Sequence, residues 1–283
     1  MAKRGKNIQL FLMDGDASGR IKCTMANWTG IAYKIPRIYL NECKDRADLK
    51  QSGVYFMFGT SGDDEHSIYV GQAGSRKNGE GLFQRIREPH DSIDWTEVIT
   101  FSTTNNSFGQ TEISYLENRF HELAKSANRY TVVNSNSPAQ GNITEEKESE
   151  LEEFIDYAQI IVGTLGHRVF EPVLEASDNN EVSEELILKN SKADAVGARA
   201  SDGFVVKKGS KLAATATRSC PTYIRNLRER YKTRIDSKNK LTEDTLFQSP
   251  STAAGFVMYA SQNGLQVWLT HAGVQLKALD NSL

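Results

Sequence analysis

The sequence predicts an α+β protein in which a small mixed sheet with flanking helices forms the centre of the chain. Three observations point there. Runs rich in Val, Ile, Tyr and Phe are separated by turn-forming clusters through the first half. Two stretches, near 112–124 and 144–165, carry apolar residues at helical spacing. A length of 283 residues exceeds what one core usually organises, so two compact units and a connector are expected.

Residues 7–49 read as short strands, IQLFLM, IKCTM and GIAYKI, separated by DGDASG and NWTG. They predict a β-rich cap over residues 1–50, with Arg20, Lys22, Lys34 and Arg37 on a solvated sheet face. Next, GVYFMF and SIYVGQ flank the polar GTSGDDEHS, the pattern of an antiparallel hairpin with a long connection. Gly81 to Glu88 reads as a helix, with Leu82 and Ile86 on one face and Pro89 stopping it. VITFST is a third strand. Ser107 and Gln110 then suit a capping box ahead of a helix whose buried stripe is Ile113, Leu116, Phe120 and Leu123. With TVVN as a further strand, the order is β-β-α-β-α-β. An acidic helix over 144–165, capped by Thr144, buries Leu151, Phe154, Ile155, Ala158, Ile161 and Val162 and closes a domain spanning 51–170.

From 171 to 201 the composition shifts to Glu, Ser, Asn and Ala with weak periodicity, which predicts a linker, with a helical turn around Ile187. A separate small α+β domain is expected over 202–283. It begins with FVVKKGSKLAATAT as a hairpin around Gly209, followed by the basic helix PTYIRNLRERYKTRI with Pro221 in its first turn. SPSTAAGFVMYAS is a short helix, and Asn263-Gly264 marks a turn before the strand LQVWLT.

A net charge of −2 announces no nucleic-acid partner, but the charge is unevenly placed. Gly141 to Asn190 holds thirteen acidic residues against three basic ones, whereas Gly203 to Lys240 holds eleven Lys and Arg against Glu229 and Asp236. Cys23, Cys43 and Cys220 are widely spaced and odd in number, which fits a reducing compartment. Asp14 and Asp16 end the first apolar run too early for a secretion signal, and no stretch approaches a membrane span. A cytoplasmic protein without a membrane partner is expected.

Hydrolysing a phosphodiester requires activation of water, positive charge on the phosphoryl oxygens and stabilisation of the departing oxygen. The centre of the chain carries residues suited to each. Gly53-Val54-Tyr55 and Tyr69-Val70-Gly71, with Leu82-Phe83-Gln84-Arg85, Glu112 to Glu117 and Asn134 after them in order, resemble the GIY-YIG nuclease family over about residues 52–136. Both tyrosine motifs carry Val for Ile. The resemblance implies that Tyr55 deprotonates or positions the attacking water, Tyr69 helps to orient the phosphate, and Glu117 binds Mg2+ (or Mn2+). Arg85 suits the phosphate because a guanidinium donates paired hydrogen bonds and keeps its charge. A tyrosine titrating near 10 is about one part in a thousand ionised at pH 7, so Tyr55 needs positive charge beside it or a group that takes its proton onward. His90 is a candidate for that group, although Pro89 occupies the position where some family members have histidine.

Around this centre, Gly71, Gln72, Ser75, Arg87 and Asn134 are expected to contact nucleic acid. Lys207, Lys208, Arg225, Arg228 and Lys232 would form a phosphate-backbone footprint in the basic segment. FVVKKGSKLAATA, LRER, LTEDTLFQSPSTAA and NGLQVWLT resemble a small domain of unknown function that often follows bacterial GIY-YIG nucleases. The resulting expectation is a bacterial, metal-dependent endonuclease acting on DNA. RNA stays open as a substrate, as does a homodimer as the form that cuts both strands. The alternatives are a non-cleaving nucleic-acid-binding module on the same scaffold, or an RNase or phage-defence effector.

Overall fold

The computed structural model describes residues 5–61, 65–74, 81–134, 142–172, 185–200 and 203–280. The chain is mixed α+β and divides into two compact units, Met1–Pro172 and Val173–Leu283. Among the described residues no helix is long and apolar enough to cross a membrane.

The strands of the first unit are β1 (Ile8–Leu12), β2 (Ile21–Met25), β3 (Gly30–Pro36), β4 (Gly53–Ser61), β5 (Glu65–Ala73), β6 (Asp94–Thr103) and β7 (Thr131–Val132). They form one sheet in the order β1-β2-β3-β6-β4-β5-β7. The N-terminal strands are therefore not a separate cap. β3 pairs antiparallel with β6 from Gly30↔Thr103 to Pro36↔Glu97, which continues the central sheet. The β4–β5 hairpin pairs as far as Ser61↔Glu65, so its connection is short rather than long.

Alternation along β4 assigns the two faces. Val54, Phe56 and Phe58 join a core with residues of α2 (Gln110–Ala127) and α3 (Glu145–Thr164), including all six apolar residues expected from the acidic helix. Tyr55 and Met57 face the other way, against Leu40, Leu49 and the buried side of α1 (Leu82–Arg87). Thr144 caps α3 by accepting from the Lys147 amide. The capping box at α2 does not form: Gly109 is the N-cap, and Ser107 instead bonds to Thr103. Glu152 fastens the two helices, taking two bonds from Arg119, at 2.6 and 3.0 Å, and one from the Tyr115 hydroxyl at 2.7 Å.

The four basic residues expected on a solvated face are ion-paired: Arg20 with Asp14 and Glu42, Lys22 with Asp48, Lys34 with Glu97, and Arg37 with Asp94. The Glu97 pair is part of a partly buried network. Its carboxylate lies 2.6 Å from His167 Nε2 and 3.1 Å from Lys34 Nζ, and the His167 ring stacks on Phe58 at 3.6 Å. Burial pushes the Glu97 carboxyl up, but the bonds from His167 and Lys34 outweigh it and hold it below the ordinary value of 4.5. A depressed carboxylate pKa adds stability above the unfolded value, and that stability is lost as pH falls through the folded value. Denaturation midpoints of the wild type should therefore drop more steeply below about pH 5 than those of Glu97→Gln. Parallel curves for the two proteins would refute a stabilising role for this carboxylate.

The second unit holds a five-stranded antiparallel sheet in the order β11-β10-β9-β8-β12. Its strands are β8 (Leu186–Lys189), β9 (Asp194–Ala200), β10 (Gly203–Val206), β11 (Thr245–Phe247) and β12 (Leu269–Thr270). Residues 186–200, expected to end a linker, thus supply two core strands, and Ile187 is in a strand rather than a helical turn. Alternating burial along β8 and small residues along β9 explain why their composition reads as weakly patterned. β10 pairs with β9 and β11, so no hairpin forms around Gly209; after that turn Lys211 makes isolated bridges only. The helices are α4 (Thr222–Arg230), α5 (Pro250–Met258), α6 (Gly264–Val267) and α7 (Leu276–Asp280). Asn263 caps α6 through its side chain instead of turning a hairpin, which shortens the expected strand to Leu269–Thr270.

Candidate active site

The first unit brings Tyr55, Tyr69, Arg85 and His90 together on one face of the sheet, and Glu117 approaches from α2 on the other. The two tyrosines come from paired strands, with ring centroids 6.1 Å apart and ring planes inclined by 28°. Gly71 sits directly across from Tyr55, and a Cβ there would meet the Tyr55 ring at 2.4 Å. The glycine of the second motif is thus the space into which the first motif's tyrosine folds. His90 stands edge-on to both rings, 6.0 Å from Tyr55 and 5.2 Å from Tyr69.

Tyr55 is wholly buried, and no group among the described residues completes a well-formed hydrogen bond to its hydroxyl. Burial, followed by repulsion from Tyr69, raises its pKa far above the ordinary value, although the Arg85 cation works in the opposite sense. Tyr55 is therefore a phenol at any working pH. The His90 imidazole is shifted down, chiefly by burial, and so favours its neutral form. Its Nε2 lies 3.3 Å from the Arg85 carbonyl, which makes Nε2 the protonated nitrogen and Nδ1 the acceptor.

Arg85 is half-buried and its Nη1 contacts Glu88 at 2.5 Å, an i,i+3 pair on α1. Arg87 points elsewhere, exposed with its guanidinium 5.5 Å over the Phe83 ring. Glu117 comes from α2 at the far face of the sheet. Its pKa is raised, first by burial, while Gln72 and the Arg85 cation pull it down. The carboxylate thus lies within electrostatic reach of both Arg85 and Tyr55.

Two residues expected to contact nucleic acid make bonds within the fold. Gln72 Nε2 donates to Glu117 at 2.9 Å, while its Oε1 accepts from Gln110 and Ser114, so its amide fixes the carboxylate. Asn134 bonds the Val70 backbone in both directions, at 3.1 and 2.7 Å, acting as one more strand residue beside the Tyr69 motif. Neither role was readable, because the bond to Glu117 spans 45 positions and the bonds to Val70 span 64. Ser75 lies outside the described residues. Among the described residues no group of three or more His, Cys, Asp or Glu is placed to hold a metal, so Glu117 stands as a single carboxylate.

In the second unit Arg228 is buried, bonding the carbonyls of Phe256, Ala213 and Val257. It therefore leaves the expected basic face. Lys207 pairs with Glu185, and Lys232 with Glu229 at 3.0 Å. Lys208 and Arg225 are exposed, the latter bonded to the Thr217 carbonyl.

The family model described as Domain of unknown function (DUF4357) matches residues 186–280. The match begins at β8 and covers the second sheet, in agreement with the small domain expected from the sequence and with a boundary ahead of β8. Neither the curated proteins nor the solved structures include a match to the chain.

Proposed function

We propose that the first unit is a GIY-YIG-type endonuclease that hydrolyses phosphodiester bonds in DNA with Mg2+ (or Mn2+). The observation that carries this reading is the meeting of an unsatisfied buried phenol, a second phenol, a neutral imidazole, a guanidinium and a desolvated carboxylate. Packing alone gives no reason to gather such groups, since each loses hydration there.

The donor set fits a divalent cation. A half-buried carboxylate that desolvation makes costly to ionise gains from one, and Mg2+ is commonly held by one or two carboxylates, with water and substrate oxygens completing its shell. Glu117 would hold it, and the bound cation would offset phosphoryl charge and lower the pKa of nearby water. Arg85 would bind a non-bridging phosphate oxygen, exchanging part of its contact with Glu88 for the substrate. Because Tyr55 stays protonated, it positions the attacking water and accepts its proton only while passing its own onward. The neutral His90 beside it is the nearby acceptor. As the water oxygen bonds to phosphorus, the ester bond to the leaving oxygen breaks. Tyr69 would hold the phosphate from the other side.

In the second unit, exposed Lys208, Arg225 and Lys232 would add backbone affinity without sequence information. A cytoplasmic enzyme with one such centre per chain would cut both strands as a homodimer or in successive encounters.

Purified full chain is expected to convert supercoiled plasmid to nicked or linear forms with Mg2+ and not with EDTA. Equal conversion in EDTA, or none on plasmid, branched or single-stranded DNA, would overturn the reading, and RNA assayed in parallel decides the substrate class. Gln72→Leu should slow cleavage by roughly tenfold to a hundredfold and raise the Mg2+ concentration for half-maximal rate, because Glu117 loses its anchor. An unchanged Mg2+ requirement would mean that Gln72 does not position Glu117.

A further inference from the structure

Beside the tyrosine cluster lies an open cleft of about 500 Å³, within the range of small-molecule sites. Its wall is continuous with the site just described, because Glu88 and His90 line both. Leu40, Ile86, Ile93 and Trp95 make an apolar floor. Trp95 itself is covered by the Arg37 guanidinium, 5.0 Å over its ring, and Arg37 is held there by Asp94 and the Trp95 carbonyl. The exposed amide of Asn41 and the exposed guanidinium of Arg87 stand at the rim.

The charges select the ligand class. The lining sets Arg37 and Arg87 against Glu88, Asp91 and Asp94, with Arg37 already paired to Asp94, so the cleft carries no positive excess to attract a phosphate. An apolar floor, flat guanidinium planes and an amide offering both donor and acceptor instead suit a neutral heterocycle with polar edges. We propose that the cleft receives an unpaired nucleobase adjoining the phosphate held at Arg85, which makes the preferred substrate a DNA with a bulged or single-stranded nucleotide beside the cut. This rests on the nuclease reading above. A paired base cannot enter, since its edge is occupied by its partner and its faces by the stack.

The test measures binding of the full chain, in EDTA, to two DNA duplexes identical except for one bulged 2-aminopurine. Wild type should bind the bulged duplex about tenfold tighter, with a change in probe fluorescence as the base leaves water. Asn41→Trp, which fills the cleft, and Arg87→Ala, which removes one plane, should each bring the affinity ratio close to one. A wild-type ratio near one, or a ratio unaltered in both variants, overturns the proposal. Cleavage of the same duplexes with Mg2+ is read separately. A bulge preference without cleavage keeps the cleft and removes the nuclease, whereas cleavage without preference does the reverse.

Discussion

Tyr55→Phe is expected to slow plasmid cleavage by about a hundredfold or more while leaving the protein at least as stable as the wild type. The two effects have one cause. The Tyr55 hydroxyl is buried without a well-formed partner, and a buried polar group left in that state costs roughly 1–3 kcal/mol. Removing one oxygen from a ring that already fills the space over Gly71 leaves the packing intact. Melting temperature should therefore hold or rise as activity falls, the pattern of a site kept at the expense of stability. Glu117→Ala and Arg85→Ala should match the loss in rate, about a hundredfold or more each, because each removes a charge within electrostatic reach of Tyr55. If Tyr55→Phe melts well below the wild type with unchanged cleavage, Tyr55 is a core aromatic and the reading fails.

What could be read from the sequence divides along the range of the interactions. Helix α3 was legible because its six buried residues repeat within twenty positions and Thr144 caps it from one position away. The strands β1, β2 and β3 were legible one by one, for the same reason. Their place in the central sheet was not: it depends on pairing Gly30 with Thr103, and no local pattern reports a partner seventy residues on. The candidate site follows the same rule. Motif order named Tyr55, Tyr69, Arg85 and Glu117, whereas the Gln72–Glu117 bond and the Asn134 clamp on Val70 exist only once β5 lies beside α2 and β7. Residues 186–200 were misread for a different reason. Ala195, Gly197 and Ala198 have small side chains that carry little hydrophobic signal, yet β9 is an interior strand paired on both sides.

Arg228 shows how a charge count misleads, and it gives the largest stability effect expected in the second unit. On a helical projection it belongs with Arg225 and Lys232, but α4 turns it inward until 7% of it is exposed. Its guanidinium donates to the Phe256, Ala213 and Val257 carbonyls at 2.7, 2.9 and 3.2 Å, and lies 4.8 and 4.7 Å over the rings of Phe256 and Tyr259. Phe256 and Val257 belong to the last turn of α5, where carbonyls lack helical partners and the helix dipole is negative. Burial lowers the Arg228 pKa to about 10, so at neutral pH the group is still a cation, compensated by dipoles and ring faces rather than by a carboxylate. Arg228→Ala removes that cation, takes the guanidinium donor from three carbonyls, of which that of Val257 keeps the Ala213 amide, and opens a cavity, a combination that costs about 3–5 kcal/mol. For a unit of this size the melting transition should fall by roughly 12 °C or more. Arg225→Ala, at an exposed position on the same helix, should stay within about 0.5 kcal/mol of the wild type. DNA binding gives the converse readout: a phosphate-contacting Arg228 would lose affinity with its melting unchanged, and that result would return it to the surface.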